Sequence, residues 1–296
     1  MEKYDIIIEK GATICYNRKA SSLSPIKMGG AISVLILPNS VEGLVVALDN
    51  TTNPIVLGNM SNVLVSDKGY SGEIISTKNI KGYSVEGNIV KITAGEHLST
   101  LVDITKKNSL EGAEGLVGIP GSIGGAIAMN AGAFGYTISD YLDSVKVYDN
   151  GNIYSMSKEE CKFSYRNSIF SFTNIVVLEA TFCFPYQNKL IITKKIKDIK
   201  QKRLNTQPTQ SSLGSVFKRH NDTSSGYYID MVGLKGYKIG GAMISNKHAN
   251  FIVNVENGTS TDFYNLACIA NEKVREKYGF SLDMEVKLIG EFERKI

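Results

Sequence analysis

Residues 118–135 read GIPGSIGGAIAMNAGAFG: six glycines, four alanines and no charged side chain. Such residues do no acid–base or nucleophilic chemistry of their own. What they offer is backbone. Small side chains let a ligand approach the chain closely, and a run of N–H groups holds an anion without a lysine. The chemistry on offer is recognition of a phosphate-type group. A turn with close helix–strand packing accounts for two or three of these glycines and leaves the length of the stretch unexplained. The spacing Gly118-x-x-Gly121-x-x-Gly124-Gly125 departs from the G-x-G-x-x-G dinucleotide template at its second glycine. No G-x-x-x-x-G-K-[ST] occurs either, which argues against a P-loop nucleotidase. Spacing alone leaves the ligand open.

The bulk composition agrees with a small phosphate-bearing ligand. The chain has 296 residues, enough for two or three lobes, with 33 basic and 29 acidic side chains and a net charge of +4. That balance is no nucleic-acid footprint. The four cysteines (Cys15, Cys161, Cys183, Cys268) form no C-x-x-C pair, and the three histidines (His97, His220, His248) are dispersed. No metal site is expected, and the thiols are expected to be reduced and mostly buried. The N-terminal MEKYDIIIEK lacks a signal-peptide core, and no apolar run is long enough to insert in a bilayer. The expectation is a cytoplasmic protein.

Several elements must position the glycine stretch. ISVLILP reads as a strand ended by Pro38, and Asn39 with Glu42 resembles a capping box for the helix VEGLVVALDN. PIVLG and NVLVSD are strands flanking the polar loop GNMSN. Hairpins are expected in YSVEGNIVKITAG, turning at Glu86-Gly87-Asn88, and in SVKVYDNGNIYSM, with Asn150-Gly151 at its tip. HLSTLVDITKKNSL puts Leu98, Leu101, Val102 and Thr105 on one helical face, with Gly112 after its end. LIITKKIKDIKQKRL brings Ile192, Ile196 and Ile199 together and reads as a solvated connecting helix. STDFYNLACIANEKVREKYG is the clearest helix, its stripe being Phe263, Leu266, Ala267, Ala270 and Val274. A last strand, LDMEVKLIGEF, closes the chain. Strands and helices mix without regular βαβ alternation, which predicts an α+β fold of several lobes.

Taken with IKMGG and GNMSNVLVSDKG before it and FSYRNSIF, SSLGSVFK, LKGYKIGGAMISNKHANFIVN and LDMEVKLIG after it, in the family order, the glycine stretch resembles the UDP-N-acetylenolpyruvoylglucosamine reductases (UDP-N-acetylmuramate dehydrogenases) of bacterial cell-wall synthesis. Only 49 positions separate Arg166 from Ser215, which resembles the shorter class of that family. The resemblance implies a three-lobed protein with the FAD-binding fold of the vanillyl-alcohol-oxidase type and a substrate-binding lobe. It places a first FAD lobe at 1–66, a second with the connecting helix at 67–205, a substrate lobe at 206–280, and a C-terminal strand carrying Glu285 at 281–296. The implied activity is FAD-dependent, NADPH-driven reduction of UDP-N-acetylglucosamine-enolpyruvate to UDP-N-acetylmuramate, a peptidoglycan precursor, by a monomer.

On the same resemblance, the backbones of Gly58, Asn59, Met60, Ser61 and Asn62 and of Gly121, Ser122, Gly124, Gly125 and Ala126 cradle the FAD diphosphate. Asn130, Ala131, Gly132 and Gly135 line the flavin. Ser215 is implied as proton donor to the substrate carbon. Arg166 would supply a permanent planar charge for the substrate carboxylate or enolate. Glu285 would polarise that carboxyl, which asks for a protonated form. Lys218, Arg219 and Lys235 are the candidates for the UDP-sugar.

Two positions depart from the family pattern. Met60 stands at the central glycine of the G-x-G-S-N loop, and Arg219-His220 follow SVFK where Asn-Pro is usual. A methionine is costly at Met60 if the position needs a positive φ. Two other classes of function stay open at this stage: a flavoenzyme of the same fold with another substrate, and a non-catalytic nucleotide-sugar-binding paralogue.

Overall fold

The structure, a computed structural model, describes residues 3–293. Its contacts divide the chain into two compact units of interleaved segments. The first takes the chain up to Cys15, Leu35–Asn59 and Glu73–Arg203; the second takes Tyr16–Val34, Met60–Gly72 and the chain from Leu204 onward.

In the first unit a five-stranded antiparallel sheet runs in the order Asn152–Ser157, Leu142–Asp149, Val176–Cys183, Ile89–Thr93, Tyr83–Glu86. Alternation drives its packing: Val145 and Val147 are buried while Lys146 between them faces out. The tip of the strongest hairpin is Asn150 (φ 47°) and Gly151 (φ 85°), the left-handed pair that a two-residue turn requires. The helix Leu98–Lys107 buries Leu98, Leu101, Val102 and Thr105 as its spacing predicts. It ends well before Gly112: Asn108 caps it, and Ser109 (φ 58°) takes the left-handed turn. The helix Val41–Asp49 is capped by Ser40 rather than Asn39. Ser40 Oγ accepts from Gly43 N at 3.0 Å, and Asn39 packs against Gly11 instead. The helix Lys189–Thr206 buries Ile192 and Ile196, with Ile199 packed at the edge of the core.

The second unit holds a four-stranded antiparallel sheet in the order Ser212–Ser215, Phe251–Asn254, Ala242–Ile244, Lys238–Ile239. Against it lies the helix Ser260–Tyr278. A Thr259–Asp262 capping box starts that helix and Gly279 (φ 80°) ends it. Its predicted stripe, Phe263, Leu266, Ala267, Ala270 and Val274, is buried throughout. The expected last strand is shorter than its sequence suggests. Only Lys287–Ile289 pairs as a strand, parallel to Val63–Val65, and Glu285 lies two residues before it. The backbone ahead of that strand is occupied elsewhere: Lys218 N donates to Asp283 O, and Glu285 N to Val216 O.

A further four-stranded sheet runs Thr13–Lys19, Ala31–Leu37, Tyr70–Ser76, Ile55–Leu57. Helices and sheets mix without βαβ repetition, which makes the fold α+β. The four cysteines are free, but Cys161 alone is buried, contrary to the expectation of mostly buried thiols. Burial pushes the Cys161 thiol up to about 11, so it stays protonated and inert.

Candidate active site

The glycine stretch contains a short helix that its composition hides. Residues Ile123–Ala128 are helical, and Ser122 is the N-cap, its Oγ accepting from Gly125 N at 3.3 Å. The other early amides of this helix are engaged as well. Ile123 N donates to Glu96 O at 2.8 Å, Gly124 N to Ala94 O at 2.8 Å, and Ala126 N to Ser122 O at 2.9 Å. The amides of Gly121 and Ser122 have no acceptor among the described residues. The loop ahead of Val63 is the more open of the two. The amides of Asn59, Met60, Ser61 and Asn62 donate to no acceptor among the described residues.

The loop and the helix meet at Gly58. A Cβ on Gly58 would lie 1.9 Å from Ser122 Oγ and 3.0 Å from Ser122 Cβ, so only glycine fits. Unengaged amides on segments that close packing at Gly58 holds together are what a diphosphate needs. The residues present therefore fit the diphosphate of FAD. Met60 adopts φ 53° with its side chain buried, so this position does call for the left-handed conformation that glycine takes freely.

Asn130 (φ 43°) is buried and fully used: Nδ2 donates to Ser164 O at 3.0 Å, and Oδ1 accepts from Ser139 Oγ at 2.8 Å. Ala131 N returns to Ala126 O at 2.8 Å. Gly132 packs where a Cβ would lie 2.3 Å from Tyr136 O, and Gly135 (φ 88°) lies in open space. Arg166 is brought to this segment. Its Nη2 donates to Gly132 O at 2.7 Å and its Nη1 to Asn130 O at 3.4 Å. Arg166 itself has φ 53°, in a turn closed by the Ser164–Asn167 backbone pair at 3.0 and 3.2 Å. A left-handed arginine costs about 1–2 kcal/mol, and strain of this kind concentrates at functional sites.

In the second unit Ser215 ends its strand, paired with Phe251, after a bulge in which Gly214 has φ 76°. Glu285 is its near neighbour through the backbone: Glu285 N donates to Val216 O at 2.8 Å. Asn62 joins them, Nδ2 donating to Glu285 O at 2.9 Å, while Lys287 N donates to Asn62 O at 3.0 Å. One network thus links the open loop, the residue after Ser215 and Glu285. Lys218 lies close enough to Lys287 for its charge to act there. The Lys287 ammonium is pushed below its ordinary range, first by burial and then by Lys218. Lys235 pairs with Asp230 at 2.6 Å. Arg219 is exposed and directly precedes a tight hairpin, in which His220 and Thr223 exchange backbone bonds at 3.0 Å.

Comparison with known proteins decides what this arrangement belongs to. Residues 207–289 match the family model described as UDP-N-acetylenolpyruvoylglucosamine reductase, C-terminal domain, and residues 32–156 match an FAD binding domain. The UDP-N-acetylenolpyruvoylglucosamine reductase of Thermotoga sp. (strain RQ2) is 37% identical over 289 residues, 96% of each chain. That of Listeria monocytogenes serovar 1/2a is 39% identical over 281 residues, 93% of this chain and 94% of its own. This chain belongs to the UDP-N-acetylenolpyruvoylglucosamine reductase family. The crystal structure of the Thermus caldophilus reductase aligns with a TM-score of 0.82 at 30% identity, covering 94% of this chain and 99% of that one. A glucose dehydrogenase, Phl p 4.0202, aligns at 14% identity with a TM-score of 0.51 and shares the fold alone; the alignment covers 64% of this chain and 45% of that one. The fold is the FAD-binding fold of the vanillyl-alcohol-oxidase type.

In this reductase several residues beside the site went unread in the sequence. Asn250 is buried and grips the chain two residues past Ser215, accepting from Phe217 N at 3.0 Å and donating to Phe217 O at 2.8 Å. His248 Nδ1 accepts from Asn250 N at 3.2 Å, which leaves the ring proton on Nε2. Burial, then the Lys235 charge, lowers the His248 pKa and keeps the ring neutral. Both residues sit inside NKHANF, a stretch that carries the family resemblance, so the signal was present. Lys287 lies inside LDMEVKLIG, another stretch that carries the resemblance, but an exposed lysine in a strand reads as solvated. Among the described residues no group of three or more His, Cys, Asp or Glu is placed to hold a metal ion.

Proposed function

We propose that the reductase reduces UDP-N-acetylglucosamine-enolpyruvate to UDP-N-acetylmuramate for peptidoglycan synthesis, with Arg166, Ser215 and Glu285 carrying the chemistry. FAD, when bound, carries a hydride from NADPH to the enolpyruvyl double bond. The amides of Asn59–Asn62, with Gly121 and Ser122, hold its diphosphate, and Asn130–Gly135 line the flavin. The observation that carries the reading is the Asn62–Glu285–Val216 network. It fixes the open loop and the two chemistry-bearing segments to one backbone frame.

Hydride arrival leaves negative charge on the substrate carboxyl and a carbon that must gain a proton. Ser215 Oγ supplies that proton. A serine hydroxyl is a weak acid, so it acts only on a strongly basic carbon, and Asn250 holds its strand still for the transfer. Arg166, with two guanidinium nitrogens on the carbonyls of Asn130 and Gly132, presents a permanent charge in a fixed plane for the developing oxyanion. Glu285 hydrogen-bonds the same carboxyl. Lys218 and Lys287 repel each other and are relieved by the UDP diphosphate. Lys235 and Arg219 serve the same substrate. The four thiols lie outside any disulfide, which agrees with a cytoplasmic setting, and the enzyme is read as a monomer.

The test follows the flavin colour in the absence of oxygen. NADPH should bleach it, and UDP-N-acetylglucosamine-enolpyruvate should restore it. Ser215→Ala should slow only the second step, by about 10²–10⁴-fold, the usual worth of a positioned acid. An unchanged second step removes Ser215 from the mechanism. Bleaching without recovery removes the substrate.

A further inference from the structure

We propose that His97 anchors the FAD diphosphate: it holds the Asn59 side chain through one ring nitrogen and offers the other as a donor to the phosphates. The proposal rests on the reading above that the diphosphate sits on the Asn59–Asn62 amides. His97 Nδ1 and Asn59 Nδ2 are 2.8 Å apart. With the amide nitrogen donating, Nδ1 accepts and the ring proton lies on Nε2.

The backbone holds His97 at the cradle. His97 faces Ser122 in an isolated bridge, with Leu98 N on Gly121 O at 3.1 Å and Ile123 N on Glu96 O at 2.8 Å. Ser122 is the residue that a Cβ on Gly58 would strike. Three segments, 58–59, 96–98 and 121–123, are thereby fixed to one another with His97 among them.

The start of a helix adjoins this spot. The helix Leu98–Lys107 starts immediately after His97, with no acid in its first turn and Lys106 and Lys107 in its last. Its positive end lies beside the ring. The adjoining Glu96 carboxylate does not compete for the imidazole, since Oε1 accepts from Gly82 N at 3.0 Å and Oε2 from Thr100 Oγ1 at 3.2 Å. His97 is exposed, so its bond to Asn59 adds little to the core and leaves Nε2 reachable by a ligand.

The experiment uses the full-length flavoprotein. FAD release after dilution is followed by flavin fluorescence, and ³¹P NMR of the bound FAD reports the phosphates directly. His97→Ala should weaken FAD binding about tenfold to a hundredfold, the range for one hydrogen bond to a charged group, and should move the phosphate resonances. His97→Gln, which keeps an acceptor and a donor, should recover part of the loss. In a cycle with Asn59→Ala, the double variant should lose little more than the worse single one, because the two side chains act as a unit. If His97→Ala changes neither release nor resonances while Gly58→Ala expels FAD, the cradle stands and the proposal for His97 is overturned. If neither variant matters, the diphosphate lies elsewhere and both readings fall.

Discussion

The two glycine-bearing stretches of the cofactor region use glycine for opposite ends. In residues 121–126 the amides from Ile123 to Ala126 are already bonded within the protein, and the small residues serve close packing. A Cβ on Gly124 would come 2.9 Å from Ala94 Cβ and 3.3 Å from Ala94 O. In residues 58–62 the amides from Asn59 to Asn62 lack acceptors among the described residues, yet the central position is a methionine. Glycine density therefore marks where the backbone is approached, and only the hydrogen-bond pattern tells which amides are left for a ligand. The donor-bearing loop is the one with fewer glycines.

The sharpest way to break this contrast is one methyl group in each stretch. Gly58→Ala forces Ser122 Oγ out of its cap and pushes the loop that carries the open amides away from Ser122. Two or more amide–phosphate bonds should lengthen, so FAD affinity should fall about a hundredfold or more, read by flavin fluorescence titration. An affinity within threefold of the parent would show that the diphosphate does not depend on this packing. Gly124→Ala should act on the other property. Its Cβ presses on Ala94, so the melting temperature should drop for a loss of about 1–3 kcal/mol. FAD affinity, measured below that melting point, should stay near the parent value. If it falls as far as in Gly58→Ala, the bonded Ile123–Ala126 turn also meets the cofactor and the contrast fails.

Much of this was legible because it rests on period and turn chemistry. The Asn150-Gly151 tip, the Leu98–Thr105 face and the Phe263–Val274 stripe follow from local rules that the tertiary fold did not override. What escaped depends on contacts between residues distant in sequence. Nothing near Glu285 announces that its amide bonds Val216, 69 positions away, and so shortens the strand expected there. The backbone of Gly124 is implied as part of the cradle because the Ala94 carbonyl that engages its amide is invisible to a local pattern. Ser40 displaced Asn39 as a cap by one residue, a difference that side-chain geometry decides. Interleaved units are likewise not a property of any contiguous stretch.

Met60 gives the smallest and most discriminating test, because two effects of similar size oppose each other there. Its left-handed φ of 53° costs about 1–2 kcal/mol for a residue with a Cβ. Burying a methionine side chain returns about 1.5–3 kcal/mol, and this one is 5% exposed. The balance favours keeping methionine, which explains how the loop tolerates it without glycine. Met60→Gly removes the strain together with the burial, so it should destabilise the reductase by about 1 kcal/mol. Met60→Ala keeps the strain and loses the burial, and should be worse than glycine by about 1 kcal/mol. Both variants keep the loop amides, so both should hold FAD as the parent does. The expected order of melting temperatures is methionine, then glycine, then alanine. Glycine above methionine would mean that strain outweighs burial at this position. Alanine level with glycine would mean that the loop relaxes its left-handed turn once the side chain is gone, and the open amides would then owe their geometry to Met60 itself.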